Sequence, residues 1–204
     1  VAEQYFTDHA PALEDDLHLI TMSVRGTDLQ MWVSPKVFSS NRLDLGTRQL
    51  LAEAPPLPPE GTFLDIGCGW GPIAVSMALE SPAARVWAID VNSRALDLTR
   101  RNAAVNECDN VIALSEEEAL SRVEAENTRF DVIWSNPPIR IGKEAVHSLL
   151  LTWLARLAPT GRAFLVVSKN LGADSLISWL NQQGYSAAKI ASKKGYRIIE
   201  AAHD

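Results

Sequence analysis

The chain has 204 residues, 47% of them hydrophobic, which fits one α/β domain with a single core and a short extension. A net charge of −6 excludes a protein that coats nucleic acid through charge alone, while leaving room for a local basic face on an acidic body. Two cysteines, Cys68 and Cys108, are too few for a disulfide framework, and the scattered histidines (His9, His18, His147 and His203) lack a cysteine partner at zinc-ligand spacing, so no metal is expected.

No apolar run approaches bilayer-spanning length. The stretch from Val1 to Asp16 is acidic and lacks the basic-then-apolar order of a signal peptide. No membrane partner is therefore expected, and the cytoplasm is the expected location. Two β-prone runs, His18–Val24 and Leu29–Val33, flank Arg25-Gly26-Thr27-Asp28 and predict a hairpin. A short helix is expected over Leu43–Leu51. Four prolines within Ala54–Gly61 then form a stiff connector, since they can neither continue a helix nor pair in a sheet. It divides an N-terminal extension, residues 1–54, from a main body, residues 61–204. The extension is too small to bury a core of its own and should pack on that body.

From Gly61 onward short apolar runs alternate with amphipathic segments. Strands are predicted at Thr62–Ile66, Arg85–Asp90, Val111–Leu114, Phe130–Ser135 and Ala163–Ser168, as continuous apolar runs of the kind buried on both faces of a parallel sheet. Helices are predicted at Pro72–Glu80, Ser93–Val105, Glu116–Ala125, Lys143–Leu157 and Ala173–Gln183. Two last strands, Ser186–Ala191 and Arg197–Ala201, follow each other across Lys193-Lys194-Gly195-Tyr196. They predict a terminal hairpin with one antiparallel edge strand. The order is that of a doubly wound, mostly parallel sheet of seven strands, with ligands at the carboxyl ends of the strands.

Asp65 stands just before Gly67, Gly69 and Gly71. Glycines in alternation permit a sharp turn and a close approach by a ligand, and the next helix start offers N–H groups. The G-x-G-x-G spacing differs from the pyrophosphate-binding G-x-G-x-x-G. A carboxylate here would repel a pyrophosphate and welcome an ammonium, so a cofactor with an amino-acid end fits better than a dinucleotide. The bland alternative is an ordinary tight turn. Asp90, ending the second strand of the main body, is placed to accept from ribose hydroxyls, unless it merely caps the next helix, a task Asn92 or Ser93 can fill. Glu116 follows the third strand and is a candidate for an adenine amino group, or simply an acid at a helix start.

Asn136-Pro137-Pro138 follows a buried strand. Two prolines fix the backbone, and the asparagine amide oxygen with a nearby proline carbonyl can accept both hydrogens of a planar amino group. That would orient the nitrogen lone pair towards an electrophile; the gain is positioning, because no strong base is present. The bland alternative is a rigid loop.

The run Leu64–Gly71, Asp90 and Asn136–Ile139 resemble class I S-adenosylmethionine-dependent methyltransferases acting on exocyclic amino or amide nitrogens. More closely, the chain resembles the small-subunit ribosomal RNA guanine-N2 methyltransferases and their single-domain relatives. That match is carried by Val37-Phe38-Ser39 with Leu43-Asp44-Leu45-Gly46-Thr47, by Asn136–Arg140 with Gly142-Lys143, and by Lys194-Gly195-Tyr196-Arg197. The resemblance implies a Rossmann-like methyltransferase fold, S-adenosylmethionine as cofactor, and ribosomal RNA or the small ribosomal subunit as partner. By position it implies that Asp65, Gly67 and Gly69 hold the methionyl part and Asp90 the ribose. Asn136 and Pro137 would receive the target amino group, and Phe38–Thr47 would form part of the rim over the cofactor. Pro138, Ile139, Arg140 and Phe38 are the candidate substrate contacts. Ile139 stands where the relatives often have an aromatic, so base gripping falls to apolar contact or to Phe38 or Trp134. The larger two-domain members carry a second, cofactor-free copy of the fold, for which this chain is too short. Arg140, Lys143, Lys169, Lys193, Lys194 and Arg197 are candidates for a phosphate-contacting rim. The alternatives are a protein glutamine or other amino-group methyltransferase, a non-catalytic S-adenosylmethionine-binding module and, most remotely, a nicotinamide dehydrogenase.

Overall fold

The computed structural model describes residues 17–34 and 43–204. Strand β1 (His18–Val24) and strand β2 (Thr27–Val33) form a two-stranded antiparallel hairpin. Its turn is Arg25-Gly26 alone, both at positive φ (52° and 77°), the primed turn that matches the twist of paired strands. Helix α1 (Leu45–Glu53) follows, capped by Asp44. Then come β3 (Thr62–Ile66), α2 (Pro72–Glu80), β4 (Arg85–Ile89), α3 (Ser93–Val105), β5 (Val111–Leu114), α4 (Glu116–Glu126) and β6 (Phe130–Ser135). A 3-10 turn at Ile139–Ile141 leads to α5 (Lys143–Leu154), β7 (Leu157–Ser168), α6 (Ala173–Gln182), β8 (Tyr185–Lys193) and β9 (Tyr196–His203).

The main sheet has seven strands in the order β5-β4-β3-β6-β7-β9-β8, with β3 through β7 mutually parallel. Period-two alternation, interrupted by an irregularity between Phe130 and Val132, divides the core. Phe63, Val86, Val132 and Trp134 face a cluster completed by α1, α2, α3 and the hairpin. Leu64, Trp87, Phe130 and Ile133 face one completed by α4, α5 and α6. Sealing on both faces is what makes these strands read as unbroken apolar runs.

Two expectations are corrected. The fourth helix of the main body, α5, ends at Leu154 rather than Leu157, because the backbone of Leu157 pairs with Phe130 and opens β7 six residues before Ala163. Pro159 and Gly161 disguise that start as loop; a Cβ on Gly161 would lie 2.5 Å from the Phe130 carbonyl oxygen, so only glycine fits beside the neighbouring strand. The terminal hairpin is present, but its reversed member is not at the edge. Helix α6 carries the chain over to β8, parallel in direction to β7, and β9 then fills the gap between them, antiparallel to both.

The hairpin is fastened to the body by polar side chains. The Asn102 side chain on α3 accepts from Trp32 N–H (2.6 Å) and donates to the carbonyls of Trp32 (3.0 Å) and Trp70 (2.7 Å). Asn106, one turn on, accepts from Gln30 N–H and donates to Gln30 C=O, so two carboxamides stand in for a strand along β2. Arg25 donates to the carbonyls of Leu51, Ala54 and Pro55 and pairs with Glu80, tying the hairpin turn to the end of α1, the proline connector and α2. Among the described residues no helix is long and apolar enough to cross a membrane, and no cluster of His, Cys, Asp or Glu could hold a metal ion.

Asn102 is fully buried, so Asn102→Ala strands three backbone groups. It should lower stability by about 2–4 kcal/mol in urea unfolding, with much less change from Asn181→Ala on the opposite face. Equal effects would disprove the fastening role.

Candidate active site

The carboxyl ends of β3, β4 and β6 bring the sequence motifs to one edge of the sheet. The glycine loop after β3 is held from several directions. Gly67 and Cys68 N–H both donate to Ile89 C=O (2.9 Å each), Gly69 N–H donates to Asp90 Oδ2 (2.9 Å), and the Thr99 hydroxyl donates to Gly69 C=O (2.8 Å). Gly67, Gly69 and Gly71 all have positive φ, which is why this loop needs glycine. Their surroundings differ. A Cβ on Gly67 would sit in ordinary van der Waals contact with Pro138 and the Asn136 backbone carbonyl, 3.8–3.9 Å away, whereas one on Gly71 would press on Thr99 at 3.1–3.3 Å. Gly71 therefore serves helix packing, whereas Gly67 faces the Asn136–Pro138 loop.

Asp65 is wholly buried on β3, and its Oδ2 accepts from Ala74 N–H (3.1 Å) in the first turn of α2. Its Oδ1 is buried without a partner. Burial, and then the neighbouring Asp90 carboxylate, push the Asp65 carboxyl well above the usual aspartate range. The start of α2 offers fewer N–H groups than expected: Pro72 has none and that of Ala74 is taken by a carboxylate. An orphaned buried oxygen and a second carboxylate suit a cationic group, and the residues present fit the ammonium and sulfonium of S-adenosylmethionine while opposing a pyrophosphate.

Asp90 is 4% exposed; its Oδ1 accepts from Asn92 N–H and its Oδ2 from Gly69 N–H, both at 2.9 Å. The cap of α3 is Asn92, accepting from Arg94 and Ala95 N–H, so Asp90 is not spent as a helix cap. Each carboxylate oxygen has acceptor capacity beyond one bond. Glu116 is half-buried at the first position of α4, capped by Ser115, while Glu117 and Glu118 are exposed.

Asn136 is held from a distant part of the chain. Its Nδ2 donates to Asp44 Oδ2 (2.8 Å) and Thr47 Oγ1 (3.0 Å), both at the start of α1. A Cβ on Gly46 would lie 3.0 Å from Tyr196 and 3.3 Å from Asn136 Nδ2. Three separated motifs, Leu43–Thr47, Asn136–Pro138 and Lys194–Arg197, therefore meet around one carboxamide. Asp44 and Thr47 were not singled out from sequence for this contact. Their spacing marks a helix cap, and nothing local indicates that the cap also grips a residue 92 positions away.

The proline hook departs from expectation. The Pro137 carbonyl already accepts from Ile139 N–H (2.8 Å) across Pro138, whose φ of −75° and ψ of 71° mark an inverse γ-turn. Ile139 is drawn towards α5 and α6 and lines a hollow of about 250 Å³ with Lys143, Val146, His147 and Leu171. Trp134 is 1% exposed in the core under Arg25 and cannot stack on a base. Phe38 lies outside the described residues. Arg140, Lys143, Lys169 and Lys194 are exposed at this edge, whereas Lys193 pairs with Glu53 and Arg197 with Asp174.

Sheet order, glycine loop and reversed penultimate strand together define a Rossmann-like methyltransferase fold. A T. thermophilus 16S rRNA N2-guanine methyltransferase, solved with AdoMet and guanosine, superposes with a TM-score of 0.74 over 97% of this chain and 53% of that one, at 22% identity. A precorrin-6y C5,15-methyltransferase from Geobacter metallireducens gives 0.62 over 81% and 93%, at 16% identity. The chain belongs to the methyltransferase small domain family, whose model matches residues 28–200. YbxB of Bacillus subtilis, itself described as uncharacterized, is 33% identical over 98% of both chains. Ribosomal RNA small subunit methyltransferase C of Pseudomonas aeruginosa is 31% identical over 95% of this chain and 58% of its own length. That of Aeromonas hydrophila is 35% identical over 64% and 36%. The chain thus spans about half the length of these named enzymes.

A carboxyl whose folded pKa exceeds its unfolded value favours the fold while protonated. That contribution is complete below about pH 4 and lost as the pH rises through the folded value. At neutral pH the carboxyl is ionised in the unfolded chain and must be buried on folding, which opposes folding, so Asp65→Asn should raise the thermal midpoint at pH 7.5 and lose that advantage at pH 4. A lower midpoint at both would contradict this reading.

Proposed function

We propose that the chain is an S-adenosylmethionine-dependent N-methyltransferase acting on an exocyclic amino nitrogen, guanine N2 of small-subunit ribosomal RNA, in the cytoplasm. The observation that carries the reading is the Asn136 carboxamide. With Nδ2 committed to Asp44 and Thr47, its Oδ1 is left as the acceptor, on a loop that faces Gly67 of the glycine loop. The names of the relatives, and guanosine in the related solved structure, support the choice of base.

In this reading Asp65 Oδ1 takes the cofactor ammonium, Gly67 and Gly69 leave room for its methionyl chain, Asp90 receives the ribose hydroxyls and Glu116 the adenine amino group. S-adenosylmethionine, when bound, supplies a methyl already activated by its sulfonium. The protein's task is alignment. Asn136 Oδ1 accepts one amino hydrogen of the base, and the remaining lone pair of the Pro137 carbonyl accepts the other. The nitrogen lone pair is then directed at the methyl carbon. Pro138 holds the turn, Ile139 anchors it against α5 and α6, and Arg140 with the exposed lysines meets phosphate. A target within a helix must leave its stack to reach this edge.

Asn136→Ala should leave S-adenosylmethionine affinity within about twofold and lower turnover on unmethylated small subunits by about 100-fold. Unchanged turnover would sink the assignment, and activity on a release-factor-like protein instead of RNA would redirect it. Mapping guanine methylation in ribosomal RNA with and without the protein identifies the base.

Binding of an ammonium beside Asp65 favours the charged carboxylate, so cofactor binding should release a proton and tighten as pH rises. In Asp65→Asn, titration calorimetry should find affinity about tenfold weaker or worse and no longer dependent on pH over that range. A retained pH dependence would shift the effect to another group.

A further inference from the structure

We propose that Asp44 and Thr47 are positioning residues that fix which face of the Asn136 carboxamide meets the acceptor nitrogen. This rests on the reading of Asn136 as the acceptor-side group. A carboxamide has two nearly isosteric ends with opposite hydrogen-bonding character. Only the oxygen end can accept from an amino group; the NH₂ end would oppose it, donor against donor. The side chain has only a soft two-fold torsion to choose between them.

The choice is made by Asp44. An ionised carboxylate accepts and cannot donate. With Asp44 Oδ2 at 2.8 Å, the amide nitrogen must occupy that side. Rotating the amide by a half-turn would set two oxygens against each other. Thr47 Oγ1 takes the second N–H at 3.0 Å and is itself buried. Both donors are thereby committed, and Oδ1 faces the other way. The charge-assisted bond also polarises the amide and strengthens its oxygen as an acceptor.

Asp44 has a second duty, because the same Oδ2 accepts from Thr47 N–H (3.1 Å) as the cap of α1. The two duties are separable by side-chain length. Serine caps helices about as well as aspartate, but its hydroxyl is too short to reach Asn136. Asparagine both caps and presents an amide oxygen at the right reach.

The test compares Asp44→Ser, Asp44→Asn and Asn136→Ala in the full chain. The readouts are thermal midpoint, S-adenosylmethionine affinity, and kcat and KM for methyl transfer to unmethylated small subunits. Asp44→Ser should keep its midpoint, cofactor affinity and KM while kcat falls about tenfold or more; Asp44→Asn should recover to within about threefold of the parent. If Asn136→Ala is inactive but Asp44→Ser keeps the parental kcat, the positioning role is overturned and the reading of Asn136 survives. Equal loss in Asp44→Ser and Asp44→Asn also overturns it, since charge rather than orientation would then matter. Near-parental turnover in Asn136→Ala overturns the reading of Asn136 and this proposal with it.

Discussion

The central strands are sealed on both faces, and that constraint decides where chemistry can sit. Trp87, Trp134 and Trp153 lie wholly inside, with their indole N–H groups unpartnered. Polar side chains placed mid-strand would meet the same fate. Asp65, Asp90, Asn92, Ser135 and Asn136 instead gather where β3, β4 and β6 end. There the backbone turns away from its ladder and supplies N–H groups to carboxylates. The edge is consequently acidic at the glycine loop and basic farther out at Arg140, Lys143, Lys169 and Lys194. One region suits a cationic small molecule, and the other a polyanion.

The two loops that meet at this edge are held in different ways. The glycine loop is fixed by its nearest neighbours: Ile89, Asp90 and Thr99 leave it little freedom. The hook is fixed partly by its prolines and partly from far along the chain, through the start of α1. The N-terminal extension reaches both, since Asn102 bonds the Trp32 backbone and the Trp70 carbonyl together. The hairpin and α1 are therefore working parts of the edge, although they add no strand to the main sheet. In the proposed site Asp65 would illustrate a trade-off, since burying a carboxyl opposes folding in exchange for readiness to meet a cation.

Much of this was legible from the chain alone. Thr62–Ile66, Pro72–Glu80, Ser93–Val105, Val111–Leu114 and Phe130–Ser135 begin and end as read, because proline, asparagine or serine punctuates fully apolar or amphipathic runs. The start of β7 was not legible, since Pro159 and Gly161 carry loop chemistry within a paired segment. Nor was the place of β9: local pattern reveals a hairpin, but which arm lies inside the sheet depends on partners far away in sequence. At the site, residue types were readable and their bonds were not. Asn136 stood out beside two prolines, yet its orientation comes from Asp44 and Thr47. The Pro137 carbonyl looked unpaired until the turn through Pro138 supplied its donor. Trp134 could be read either as a base contact or, like the other strand tryptophans, as core, and the structure places it in the core.

The late insertion of β9 has a consequence for the order in which the molecule is made. Strand β8 touches the rest of the sheet only through β9. A chain emerging from its own ribosome would have everything from β3 to β7 in place while β8 still lacked a neighbour. The same strand brings Tyr196 against Gly46, beside Asn136. Completion of the sheet and closure of the packing behind the carboxamide thus depend on the same strand, so whatever disturbs β9 disturbs the wall behind the hook as well.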